Sequence, residues 1–314
     1  MQERVGFVMQ MRDYLIEKIF GYALKNKDVI LISNEQGAQS LDRFRKELPD
    51  QFINAGISEQ NIISVAAGLA KQKKKVYIYS IASFITLRCF EQIKLDINLM
   101  NLPVTIFGVG ASYSYDTSGP THHSIEDISI LRTMKNLEIF SPSDNDILNY
   151  IFNYSARSKN PIYIRLDRKP LNILSGNNFN FKNGFRVFGE IKSKKFIVST
   201  GNMSHVALEA IKIFQKYSRE PICFIDVFSA KLSIKNFLNT IKNAKLIVTL
   251  EEHILAGGLG GIIAELLFDN KINKKLDLIR MGIDINKIYT YKPRNLIHRI
   301  NKITAKDVVK KILN

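Results

Sequence analysis

Tryptophan is absent from the 314 residues, and there are only two cysteines, Cys89 and Cys223. They lie far apart, each inside an apolar stretch, which argues against a disulfide framework or a cysteine-based metal site. Long hydrophobic runs are missing too, since no segment approaches the roughly 20 apolar residues that cross a bilayer. The opening MQERVGFVMQMRD alternates charges with apolar residues and lacks the uninterrupted core of a signal peptide. A cytoplasmic protein without membrane contact is therefore expected. Acidic residues are in deficit, 29 against 45 lysines and arginines, giving a formal charge of +16. That charge attracts anions, whether phosphorylated metabolites or an acidic partner, and says nothing of fold. The basic residues are dispersed. Their densest run, KQKKK at 71–75, reads as a solvated turn, and no basic motif interleaved with aromatics accompanies it, so nucleic acid is not an expected partner.

With 46% hydrophobic residues, the chain can bury a large core, and its length favours two domains. Short β-rich runs alternate with longer segments of helical period: VILIS (29–33), VYIYSI (76–81), VTIFGVG (104–110), LEIFS (137–141) and IYIRL (162–166). The alternation stops in an Asn- and Gly-rich stretch, then resumes with KFIVST (195–200), ICFIDV (222–227), KLIVTLE (245–251) and LDLIRMGI (276–283). The expected fold is α/β, with two doubly wound domains and mostly parallel sheets, residues 1–172 and 185–314, joined by a linker at 173–184.

In such sheets ligands gather beyond the carboxyl ends of the strands, where Glu35 and Gln36, Ser80 to Ser83, and Tyr113 to His123 fall. Glu59 follows Ser58, a plausible N-cap, and precedes an apolar helical run. A first-turn acid is favoured by the helix dipole whether or not it has a chemical role. Phe84, Leu87 and Phe90 are three apart and share a face if helical, a pattern more common in cores than in cofactor pockets. Arg88 and Glu91 have the spacing of a surface ion pair. The segment ASYSYDTSGPTHHSIED offers Ser118, His122 and His123 around a Gly-Pro turn, with Ser124 placed to cap the next helix. No third ligand at a recognisable spacing supports a metal; substrate hydrogen bonding suits the histidines better, with a loop whose histidines satisfy the backbone as the alternative. Arg165 and Arg168 in IRLDR suit a phosphate, with a pairing among Asp167 and its neighbours as the equal alternative. AGGLGG (256–261) resembles a phosphate-cradling loop but lacks the established spacings, and close helix–strand packing explains it equally well.

Taken in order, DQFINAGISEQN, YSIASF, NLPVTIFGVG, SGPTHHSIEDISILRTMKNLEIFSPSDNDIL and TLEEHILAGGLGGIIAELL resemble the pyrimidine-binding and C-terminal domains of transketolases, across essentially the whole chain. The resemblance implies thiamine diphosphate as cofactor, with Glu59 on the aminopyrimidine ring nitrogen, Phe84, Leu87 and Phe90 lining its pocket, and Glu35 nearby. Leu87 stands where many transketolases have an aromatic residue. The resemblance also implies that His122 contacts substrate and takes part in catalysis, that Arg168 grips a phosphate with Arg165 and His123 close by, and that Ser118 replaces an aspartate that reads sugar stereochemistry. The family's GDG motif, which holds the diphosphate through Mg²⁺ or Ca²⁺, is missing. The expectation is the C-terminal subunit of a split transketolase, moving a two-carbon ketol unit between sugar phosphates. An N-terminal partner would carry the diphosphate and metal, and pairs of each subunit would form a heterotetramer. Deoxyxylulose-phosphate synthases and the β subunits of 2-oxoacid dehydrogenases are the related alternatives, and a non-catalytic binding subunit is a further one.

Overall fold

The computed structural model describes residues 9–35, 38–174, 179–272 and 275–313. The chain begins with α1 (Met11–Ala23), β1 (Val29–Ser33), α2 (Asp42–Glu47), β2 (Phe52–Asn54), α3 (Glu59–Lys71), β3 (Lys75–Ile81) and α4 (Ala82–Leu87). It continues through α5 (Phe90–Gln92), which widens into a π turn at Ile93–Leu99, then β4 (Thr105–Val109), α6 (Asp127–Leu131), β5 (Glu138–Phe140), α7 (Asn145–Ser155) and β6 (Ile162–Leu166). The six strands form one sheet in the order β2-β1-β3-β4-β6-β5, every pair parallel. β1, β4 and β6 are buried along their whole length, as expected of parallel strands with helices on both faces.

The second series comprises β7 (Phe185–Phe188), β8 (Lys195–Ser199), α8 (Met203–Phe214), β9 (Ile222–Val227), α9 (Ile234–Thr240), β10 (Leu246–Ile254), α10 (Leu259–Asp269), β11 (Asp277–Ile283), α11 (Arg294–Ile300) and α12 (Ala305–Leu313). Its sheet runs β11-β10-β8-β9-β7, parallel except where β7 pairs antiparallel with β9. The α/β class and mostly parallel sheets are as expected.

Two strands escaped the sequence pattern. β2 has only three residues, too few for a period to show, and β7 borders the polar stretch that the pattern assigned to a linker. Within the described parts of 173–184, Leu174 and Phe181 are packed although Ile173, Asn180 and Lys182 are exposed. Leu174 is buried with its N–H on Asp144 Oδ2 at 2.9 Å, and Phe181 stacks on Phe140 and Phe228. The sheets also meet through backbone: Ser141 N–H donates to Phe228 O, and Ala230 N–H donates to Ile139 O. One apolar core cluster accordingly joins Ile32, Ile78 and Ile106 of the first sheet to Val198, Ile225 and Ile247 of the second.

Arg186 reinforces the junction, reaching Asp144 at 2.6 Å on one side and Asp226 at 2.8 Å on the other. Asp144 is itself the N-cap of α7, accepting the Ile147 N–H at 2.9 Å. At α3, Ser58 occupies the cap position, but its hydroxyl turns back to Ala55 O at 2.7 Å. Ser124 does not cap α6. That place falls to Glu126, while Ser124 pairs its backbone with Ser112 across the loop.

Candidate active site

The carboxyl ends of β1, β3, β4 and β6 lie side by side, and the loops leaving them carry most of the expected residues. Glu59 begins α3 and is buried. Its Oε2 accepts a hydrogen bond from Arg88 Nη1 at 3.1 Å, so Arg88 pairs here and not with Glu91 as its spacing suggested. The Arg88 guanidinium lies over the Phe84 ring, 4.4 Å from its centroid. Phe84 in turn meets His122 edge-on at 5.0 Å, and His122 lies 5.7 Å from Tyr115. The far face of this line is Arg168, 4.9 Å from the Tyr115 centroid. Glu59, Phe84, His122 and Arg168 are thus joined by an unbroken series of contacts, with Arg88 and Tyr115 as links.

Local structure explains each placement. The helix breaks after Leu87, leaving Phe84 and Phe90 half-buried and Leu87 47% exposed, and Gln60 of α3 ties to the break by donating to Arg88 O at 2.9 Å. Ser83 Oγ donates to Thr121 O at 3.0 Å and ties the histidine loop to α4. Gly110, with φ +94°, makes room for Tyr115, because a Cβ there would stand 2.2 Å from its ring. Burial pushes the His122 imidazole below its ordinary pKa, which favours the neutral form, and Thr121 Oγ1 lies 2.9 Å from its Nδ1. Ser118 is exposed on the same loop, and Glu35 is exposed after β1, its Oε2 held by Asn54 Nδ2 at 2.6 Å. Gln36 lies outside the described residues.

Two expected substrate contacts point elsewhere. The Arg165 side chain is buried and spends its donors on Asp127 (2.7 Å), Ser112, Ser141 and Ser124 O. It forms an internal pair, but with Asp127; Asp167, the neighbour that the sequence offered as the alternative to a phosphate grip, pairs with Arg294 instead. The His123 ring is also buried, against Tyr113 at 4.5 Å, with Nε2 donating to Asp116 O at 3.2 Å. It supports the loop and does not face outward. The AGGLGG segment carries no phosphate cradle either. Leu259 N–H and Gly260 N–H at the start of α10 donate to the Glu251 carboxylate at 2.7 and 2.8 Å, so a side chain already fills the place of an anion. A Cβ on Gly258 would fall 2.1 Å from Glu251 Oε2, which is the packing reason for glycine there.

Sequence reading passed over Arg294 and Glu252, and it reached Tyr115 only as part of the stretch from Tyr113 to His123. Glu252 was signalled by the acidic doublet in TLEEH, two carboxylates inside an otherwise apolar strand, both buried in the structure.

An acceptor carboxylate flanked by open apolar and aromatic surface fits a planar heteroaromatic ring bearing an N–H donor. Among the described residues no group of three or more His, Cys, Asp or Glu side chains could hold a metal ion. No helix among them is long and apolar enough to cross a membrane.

Residues 8–172 match the family model described as transketolase, pyrimidine binding domain. The chain belongs to the transketolase family. It is similar to one of the subunits of the apulose-4-phosphate transketolase of Actinobacillus succinogenes, at 29% identity over 87% of this chain and 88% of that one. It is 32% identical to a putative transketolase C-terminal section from Methanocaldococcus jannaschii, over 82% of this chain and 80% of the relative. A solved split-gene transketolase, described as an inactive β4 tetramer, shares the fold with a TM-score of 0.85 at 27% identity, covering 97% of each chain. These near full-length matches to subunits and sections bear out a transketolase of the split kind. Membership implies dependence on thiamine diphosphate.

Proposed function

We propose that this chain is the cytoplasmic C-terminal subunit of a two-subunit transketolase, transferring a two-carbon ketol unit from a phosphorylated ketose to an aldose. The observation that carries it is the unbroken line of contacts from Glu59 through Phe84 and His122 to Arg168. On this reading, the carboxylate at one end of that line would meet a cofactor ring and the guanidinium at the other a substrate phosphate.

When bound, thiamine diphosphate supplies a nucleophilic carbon and an electron sink for the two-carbon unit. Glu59 would hold a ring N–H of its aminopyrimidine, and Phe84, Leu87 and Phe90 would cover the ring and exclude water. Glu35, exposed after β1 and held by Asn54, would approach the cofactor from that side. His122, whose imidazole burial shifts toward the neutral form, can in that form donate a hydrogen bond to a substrate oxygen or accept one from a hydroxyl. Arg168 is exposed, and its fork suits a phosphate bidentately. Ser118, on the same loop, would meet a sugar hydroxyl. The diphosphate and its Mg²⁺ or Ca²⁺ are assigned to an N-terminal partner, and two copies of each chain to a heterotetramer. The near full-length similarity to a transketolase subunit and to a putative C-terminal section supports that division, as does a relative's β chain described as an inactive tetramer.

The test is to combine the chain with a diphosphate-binding partner subunit, thiamine diphosphate and Mg²⁺, then assay ketose and aldose phosphate pairs. Ketol transfer that neither chain gives alone is the expected result. Turnover of pyruvate instead would move the chain to the synthase or dehydrogenase alternatives, and cofactor binding without turnover of any donor would make it a binding subunit.

A further inference from the structure

Arg294 opens α11, where the second unit meets the first, and is 7% exposed. Its backbone N–H donates to Asp116 Oδ2 at 2.9 Å. Its guanidinium bonds Asp167 through Nη1 at 3.1 Å and Nη2 at 2.6 Å, and Glu252 through Nε at 2.8 Å and Nη2 at 2.6 Å. Glu252 also accepts the Tyr113 N–H at 3.4 Å and pairs with His298. Burial opposes ionisation of Glu252, yet Arg294 and His298 hold its carboxyl well below the usual range.

The positions of these acids matter more than their number. Tyr113 and Asp116 lie on the loop that carries His122, and Asp116 O receives the His123 Nε2–H. Asp167 immediately precedes Arg168, and its Oδ1 accepts the Lys169 N–H at 2.8 Å, so the backbone is fixed on both sides of Arg168. Three residues before Arg294, the Tyr291 ring fills the space beside Gly119, where φ is +80° and a Cβ would stand 2.0 Å from the ring. The guanidinium fork is planar, and its donors hold fixed angles, so two carboxylates bound to it keep one mutual geometry. A lysine ammonium imposes no such geometry.

We propose that Arg294 is a positioning residue for the sugar-phosphate site, setting the spacing between the His122 loop and Arg168 from the second unit without touching substrate. This rests on the function proposed above. It gives the second unit a part in substrate recognition.

The experiment uses Arg294→Lys and Arg294→Ala in the reconstituted two-subunit complex, with the wild-type complex as the check on ketol transfer itself. Arg294→Lys is expected to lower kcat/KM for phosphorylated substrates about 10- to 100-fold, chiefly through KM, and to weaken the preference over unphosphorylated analogues. Arg168→Ala is expected to weaken the same preference, and the double variant Arg168→Ala/Arg294→Lys to be little worse than Arg168→Ala alone. In the isolated chain, amide hydrogen exchange over residues 116–123 should quicken in Arg294→Lys while the six-stranded sheet is unchanged. An intact phosphate preference, fully additive losses, or faster exchange throughout the sheet would each overturn the positioning role. If Arg294→Ala fails to fold, the lysine variant still decides. Should the wild-type complex show no transfer, the functional proposal fails, and the exchange measurement alone judges whether Arg294 holds the loop.

Discussion

Replacing Glu251 with glutamine should change how stability depends on pH, because Glu251 and His253 on β10 are pushed in opposite directions. Burial raises the Glu251 carboxyl to about 7, against the two amide N–H groups at the start of α10 that favour its charge. Burial lowers the His253 imidazole to about 4, although Asp127 is near and Nδ1–H donates to Ile254 O at 2.7 Å. A carboxyl raised in the folded state stabilises fully below its unfolded value of 4.5, and that contribution is lost as pH rises through 7. An imidazole depressed in the folded state does the reverse, losing stability as pH falls from 6.5 toward 4. Between pH 4.5 and 6.5 the two slopes oppose each other and largely cancel.

Integrated over that window, the Glu251 contribution alone falls by about 2 kcal/mol as pH rises. Glutamine cannot titrate, so Glu251→Gln should gain about 2 kcal/mol relative to wild type between pH 4.5 and 6.5, whatever constant offset the changed cap introduces. Urea unfolding at pH 4.5, 5.5 and 6.5, followed by far-ultraviolet circular dichroism, measures the difference directly. Parallel stability curves for the two proteins would refute the reasoning, since they would mean that Glu251 titrates alike folded and unfolded.

Other expectations follow from single contacts. Glu59→Gln should cut ketol transfer about 100-fold or more in steady-state assays while leaving the urea midpoint of the chain nearly unchanged, since the amide fills the same space without the charge. Arg186→Met strips Asp144 and Asp226 of their shared partner in a buried setting and should cost about 3 to 5 kcal/mol in chemical denaturation. Gly258→Ala forces a methyl against Glu251 Oε2 and should destabilise by about 1 to 3 kcal/mol in the same measurement. Ser118→Asp should alter the ratio of kcat/KM values among ketose stereoisomers, and an unchanged ratio would remove Ser118 from substrate recognition.

Much of the architecture was legible because parallel strands buried on both faces leave dense apolar runs, as in VILIS and IYIRL. The short edge strand β2 left no such trace. Glu59 and His122 could be singled out because a polar residue before an apolar helix, or a histidine after a Gly-Pro turn, stands out locally. Arg165 and Arg168 could not be told apart by pattern. They are three residues apart in one motif, but only the sheet shows that Arg165 points inward to Asp127 while Arg168 emerges beyond the strand end. Arg294 is 126 positions beyond Arg168 in the sequence, and no local period could connect the two.

The buried polar networks have a consequence for the outside of the molecule. Among the described residues seven carboxylates are buried, Glu59, Asp127, Asp144, Asp167, Asp226, Glu251 and Glu252, against three arginines, Arg165, Arg186 and Arg294. Withdrawing so many acids leaves an exterior more cationic than the formal +16 conveys. Exposed charges of this kind are screened beyond about 8 Å at physiological ionic strength and act much farther in dilute buffer. Colloidal behaviour, adsorption to polyanions and the rate of meeting any acidic surface therefore become functions of salt, independently of how well the interior is packed.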